Sequence, residues 1–140
     1  MKVKCCLFLM LFCLSSCIFV PFISAYKELG NSPADRKKLF SKSQKDFNTS
    51  LLNVSKMQLQ SFFIDPKDAY YYFKKNLKNQ KVFKIENEYL DFDDEAKLIT
   101  AYVNVKYFKV PVYIVNDRTE VQVWSFEKKL GWKIKEIKDE

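Results

Sequence analysis

Few residues in this chain are equipped for chemistry. Asp91, Asp93, Asp94 and Glu95 form the one place where carboxylates crowd together. Oxygen ligands of that kind suit a hard cation. The spacing fails the EF-hand pattern, which needs a mid-loop glycine and a distal glutamate, because Ala96 and Tyr102 stand at those positions. The cluster therefore reads as a solvated turn between two strands, and no metal site is expected. Histidine is absent from the sequence. That removes the commonest general base, the usual zinc ligand and the middle member of a Ser-His-Asp or Cys-His pair. Glycine occurs only at positions 30 and 131, so no glycine-rich loop can cradle a phosphate. Carboxylate, tyrosine, lysine or arginine chemistry remains. The one enzyme reading left is an Asp/Tyr pair in a pocket, and it requires a buried aspartate with a raised pKa facing a cavity. No aspartate can be assigned to that post, so no catalytic residue and no cofactor is expected, and the domain reads as a non-enzyme.

Three aromatic residues are candidates for contact with a partner or ligand. Consecutive helical residues point about 100° apart, so Tyr70, Tyr71 and Tyr72 cannot all face a core. If Tyr70 packs inward with Phe73 and Leu77, Tyr72 points away and lies exposed beside Lys75, where a tyrosine suits an interface. Trp124 and Trp132 can line a ligand pocket inside a curled sheet. As core residues they need only a partner for each indole N–H.

The elements that position these residues follow an apolar leader. Met1-Lys2-Val3-Lys4 is basic, no residue from Cys5 to Ala25 is charged, and Ile23-Ser24-Ala25 is a small-residue exit. Those are the parts of a secretory signal peptide. Three routes stay open: cleavage after Ala25, lipidation at Cys17 within the lipobox-like Leu14-Ser15-Ser16-Cys17, or retention of the uncut segment as a membrane helix. All four cysteines (5, 6, 13 and 17) lie in this leader, so the remainder has no disulfide and no thiol chemistry. Residues 26–32 form a linker. Residues 33–140 are long enough for one hydrophobic core and hardly for two.

The net charge is +7, and Lys2 and Lys4 account for two of it. Lysine is spread along the chain instead of clustered, which argues against nucleic acid and fits solubility or attraction to an anionic surface. Asn48-Thr49-Ser50 and Asn53-Val54-Ser55 match the N-glycosylation acceptor, which matters only in a eukaryotic source.

Ser32-Pro33-Ala34-Asp35 starts a helix that runs to about Leu59, with Phe40, Phe47, Leu51, Val54 and Phe62 at helical spacing and Gln44 and Gln58 interrupting the stripe. Asp65-Pro66-Lys67-Asp68 starts a second helix, to about Leu77. The period then changes to two. A strand ends near Phe92, a longer one carries Ile99, Ala101, Val103, Val105 and Tyr107, and Val110–Val115 reads as an edge or kinked strand because of Pro111. Asn116-Asp117 supplies a turn, and Glu120–Phe126 follows. The last hairpin turns at Lys129-Leu130-Gly131 and places Trp124, Phe126, Trp132 and Ile134 on one face. The fold class is α+β: two N-terminal helices packed on one face of a curled antiparallel sheet of about five strands.

That order, closed by the strand Gly131-Trp132-Lys133-Ile134-Lys135-Glu136-Ile137, resembles the nuclear transport factor two-like and cystatin-like domains. The resemblance covers residues 33 to 138 in topology and about seven residues in motif. It implies a cone-shaped fold. Enzymes of that superfamily use a pocket Asp with Tyr or a His-Asp pair, and this chain has no histidine; pocket-free relatives serve as binding modules or parts of envelope assemblies. The leading expectation is thus an exported, non-catalytic binding or structural domain of the cell envelope or secreted fraction, with an envelope protein or an anionic surface as partner. Two alternatives stand beside it: a carrier holding an apolar ligand between helices and sheet near Trp124 and Phe126, and an anchored component of a secretion apparatus.

Overall fold

The computed structural model describes residues 30–140; the expected leader, with Ala25 and Cys17, lies outside the described residues. The first helix, α1 (Pro33–Leu52), begins as the sequence reads. Ser32 Oγ accepts from the Asp35 amide at 3.1 Å and donates to the Asp35 carboxylate at 2.6 Å. Pro33 fills the first turn, where its missing amide costs nothing. Phe40, Gln44, Phe47 and Leu51 form the buried stripe. The helix stops at Leu52 and not near Leu59. Val54 takes a left-handed φ of 52°, and the Ser55 amide bonds back to Ser50 O at 3.0 Å, so the chain turns there. A separate short helix, α2 (Lys56–Phe62), follows and buries Leu59. The single long helix expected from the sequence is two.

The third helix, α3 (Pro66–Asn76), is capped by Asp65, whose carboxylate accepts from the Lys67 amide at 2.8 Å. Its inward face corrects the sequence reading. Tyr72 is buried with Ala69 and Asn76, while Tyr70 and Tyr71 are exposed. Ala69, Tyr72 and Asn76 follow the three-and-four spacing of one helical face. What selects this rotation over the alternative is an acceptor for the Tyr72 hydroxyl within the domain.

The sheet is an antiparallel meander in the order β1 (Gln80–Phe92), β2 (Leu98–Lys109), β3 (Val115–Glu127), β4 (Gly131–Asp139). It has four strands where about five were expected. Residues 110–114 are the loop between β2 and β3, with a cis peptide at Val110–Pro111. Proline cannot donate to a ladder, and the apolar run around it does not pair. Asn116 and Asp117, read as a turn, are instead rungs of β3 opposite Tyr107 and Lys106. The final hairpin keeps the expected face but shifts its turn: the loop is residues 128–130 and not 129–131, Gly131 (φ 74°) opens β4 opposite Glu127, and Trp124 stands opposite Ile134 and Phe126 opposite Trp132.

The helices cover one face of this curled, unclosed sheet. Ile99, Ala101, Val103 and Val105 of β2 are fully buried beneath them. Phe40 meets Phe92, Trp124 and Trp132 edge-on at 6.0, 5.5 and 5.4 Å, and Phe47 meets Trp124 at 5.5 Å. Such edge-to-face contacts add about 0.5–1.5 kcal/mol each beyond area burial. The linker between α2 and α3 is tied to the sheet edge by the Ile64 amide, 3.0 Å from Ile134 O. A meander puts its β1–β2 and β3–β4 turns at one end and its β2–β3 loop at the other. Arg36 donates to Gly30 O at 2.8 Å and to Glu95 O at 2.6 Å, so Gly30 sits at the first of those ends.

Candidate functional site

Strand β3 carries an unexpected row of polar side chains into the core. Because strand side chains alternate, Arg118, Glu120 and Gln122 share a face with Trp124 and lie under the helices. Glu120 and Gln122 are fully buried. The row is linked end to end. Trp124 Nε1 donates to Gln122 Oε1 at 3.2 Å, and Gln122 Nε2 donates to Glu120 Oε2 at 3.1 Å. Glu120 Oε1 accepts from the Tyr72 hydroxyl at 2.9 Å and from Arg118 Nε at 2.8 Å. Arg118 Nη1 donates onward to Gln80 Oε1 at 2.7 Å, and the guanidinium lies 4.8 Å from the centre of the Tyr107 ring.

The electrostatics follow from that geometry. Burial raises the Tyr72 hydroxyl well above its ordinary pKa of 10.0, the charge of Glu120 raises it further, and Arg118 pulls the other way. Tyr72 is therefore held as a neutral donor. Burial works against the Arg118 charge, but Glu120 and Tyr72 outweigh it and its pKa is raised. A buried carboxylate must be paired and hydrogen-bonded to be tolerated, and Glu120 has a partner on each oxygen. The row is a brace that ties α3 and β1 to β3.

All nine aspartates are exposed. The buried carboxylate–tyrosine pair that does form uses Glu120 and Tyr72, which the sequence reading did not bring together. The signal was available: once Trp124 is placed inward, a period of two carries Gln122 and Glu120 inward with it. Trp124 and Trp132 are core residues, 0 % and 2 % exposed. Their indoles are satisfied by Gln122 and by Arg36 O, the latter at 2.8 Å. In the acid cluster, Asp93 Oδ1 accepts the amides of Lys97 at 2.6 Å and Leu98 at 3.0 Å, closing the β1–β2 turn.

No family model, no curated protein and no solved structure matches the chain. The surface must speak for itself. No helix among the described residues is long and apolar enough to cross a membrane.

Two clefts flank α3. One of about 410 Å³ lies between α3 and β4, lined by Tyr71, Tyr72, Lys75, Lys135 and Ile137 among others. The other, about 510 Å³, sets Val54, Tyr70, Phe73 and Leu77 among Lys56, Lys74 and Lys78. The third feature is the β2–β3 loop with the start of β3. Val110, Val112, Tyr113, Ile114 and Val115 are all exposed. Phe83 stacks on Phe108 at 5.9 Å, and Phe108 meets Tyr113 at 5.2 Å. The brace reaches this end of the sheet: Gln80, which receives Arg118, follows Asn79, whose carbonyl accepts the Val110 amide at 3.0 Å. Reading residues 110–115 as a strand concealed this tip. Pro111 amid five apolar neighbours was the residue that argued for a loop.

Proposed function

We propose that this chain is an exported, non-catalytic binding module of the cell envelope or secreted fraction, delivered by its apolar leader. The observation that carries the reading is the β2–β3 loop with the first residue of β3, where five apolar side chains stand in water at one end of a braced sheet. Exposed apolar runs of this kind mark contact surfaces. Gly30 lies at the opposite end of the sheet, about 40 Å away for a twelve-residue strand. A chain held at its N-terminus would thus present the loop at its far end. The internal pairing of Tyr72, Glu120 and Arg118 supports a bracing role for the one buried ionisable cluster described. Kinship with the nuclear transport factor two-like and cystatin-like domains is proposed on the closing strand Gly131–Ile137 and on the order of helices before strands.

The test is a photo-crosslinking residue at position 113, introduced in the native host and followed by envelope fractionation. An adduct with an envelope component is expected. The intact mass of the same material separates cleavage at Ala25, lipidation at Cys17 and an uncut leader. A chain recovered free and monomeric from every fraction, without adduct, overturns the reading.

A further inference from the structure

We infer that the β2–β3 loop docks on an anionic phospholipid surface, which names the partner class of the binding module proposed above and rests on that reading. Val110, Val112, Tyr113, Ile114 and Val115 are between 52 % and 75 % exposed. What covers them is argued from charge. The two segments that build this end, 77–84 and 105–116, contain Lys78, Lys81, Lys84, Lys106 and Lys109 and no carboxylate. The nearest acids sit behind the tip. Glu86 engages Lys84 at 2.8 Å and Lys106 at 3.8 Å, Asp117 stands opposite Lys106 in the ladder, Asp139 pairs with Lys75, and Glu140 is held beside Thr119 by its amide at 3.0 Å. Among the described residues, Lys78, Lys81 and Lys109 make no ion pair.

These three lysines flank the loop. Lys109 precedes Val110, and the Val110 amide is held by Asn79, which lies between Lys78 and Lys81. Basic side chains beside apolar ones match a bilayer boundary, where anionic headgroups neutralise lysine and the acyl region accepts valine and isoleucine. A tyrosine at the tip suits the same boundary. The ring contacts from Phe83 through Phe108 to Tyr113 tie the loop to the ends of β1 and β2. The cleft bearing Lys56, Lys74 and Lys78 adjoins this end through Lys78 and continues the basic surface. A second copy of the chain would bring like charges face to face, which electrostatics disfavours.

The experiment uses the full chain carrying Tyr113→Trp, mixed with vesicles of phosphatidylglycerol or phosphatidylcholine. The native indoles of Trp124 and Trp132 are buried and supply a constant background. On phosphatidylglycerol the new indole is expected to shift to the blue and to be quenched by brominated acyl chains, less so as salt is raised. Adding Lys81→Glu and Lys109→Glu, both at exposed positions, is expected to weaken that insertion by about tenfold or more. The leader is unchanged in that variant, so its own affinity for lipid cannot account for the loss. An indole that stays in water on phosphatidylglycerol, or shifts equally on phosphatidylcholine, overturns the inference. So does a shift that needs only high protein concentration, which would indicate a second copy. If the vesicles fail while position 113 crosslinks to an envelope protein in the host, the lipid assignment falls and the binding-module reading stands. If neither contact forms, both fall.

Discussion

The hydroxyl of Tyr72 donates to Glu120 across 48 residues of sequence, at 2.9 Å, inside the core. This bond joins α3 to the central strand β3 and sets the rotation of the helix. Its removal has a predictable cost. Tyr72→Phe leaves Glu120 with Arg118 and Gln122 and should destabilise the domain by about 1.5–3 kcal/mol, the range for a bond to a charged group. Glu120→Ala strands Arg118 and should cost about 3–5 kcal/mol. Urea denaturation of the two single variants and the double variant should give a double loss smaller than the sum, because both remove the same bond. Strict additivity would deny the coupling.

The raised pKa of Tyr72 gives stability a high-pH limb. An acid whose pKa is higher in the folded state than in the unfolded chain favours folding while it is protonated. Its contribution is whole below the ordinary value of 10.0 and fades as pH climbs from there toward the raised folded value. The stability difference between the parent and Tyr72→Phe should thus hold steady below about pH 9.5 and narrow above it. Urea midpoints for both proteins across that range measure it, and a gap that widens at high pH contradicts the assignment.

The two glycines should respond differently to alanine. Both have positive φ, 89° at Gly30 and 74° at Gly131. A Cβ on Gly131 meets nothing within 4 Å, so its cost is backbone strain alone, about 1 kcal/mol. A Cβ on Gly30 would lie 2.5 Å from Phe126 Cζ, so the ring must move as well. Gly30→Ala should lower the thermal midpoint more than Gly131→Ala, and near-UV dichroism should report the displaced ring only in the former.

Arg36 joins the start of α1 to the β1–β2 turn. Its Nε and Nη2 both reach Glu95 O, at 2.9 and 2.6 Å, while Nη1 reaches Gly30 O. Arg36→Lys cannot reproduce a planar fork on that geometry. The loss should be about 1–3 kcal/mol, with faster hydrogen exchange concentrated in residues 94–97. Exchange raised evenly over the whole domain would instead mean that Arg36 supports global stability only.

Much of the architecture was legible because its signals are local. The caps at Ser32 and Asp65 form as read, since a side-chain oxygen meets an amide two or three residues on whatever the rest of the chain does. In the last hairpin the positive φ of Gly131 and the shared face of Trp124, Phe126, Trp132 and Ile134 were equally plain, while the turn lies one residue earlier than its sequence suggests. The errors came where local signals tie. Tyr70, Tyr71 and Tyr72 are the same residue type on consecutive helical directions, and nothing local says which one has an acceptor. The run Val110–Val115 has strand composition, yet the loop is decided by what Pro111 cannot donate and by where β2 runs out of partners.

By itself the sequence determined the two helix caps, the α+β class, the shared face of Trp124, Phe126, Trp132 and Ile134, and the lack of any histidine or domain-cysteine chemistry. Caps, turns and side-chain periodicity act over a few residues, so they can be read in order along the chain. Tertiary structure alone decided that Tyr72 faces inward, that Glu120 is neutralised by Arg118, and that lysines from two distant segments gather beside one apolar loop. Those outcomes depend on contacts between residues tens of positions apart, whose energies exist only once the chain has closed on itself.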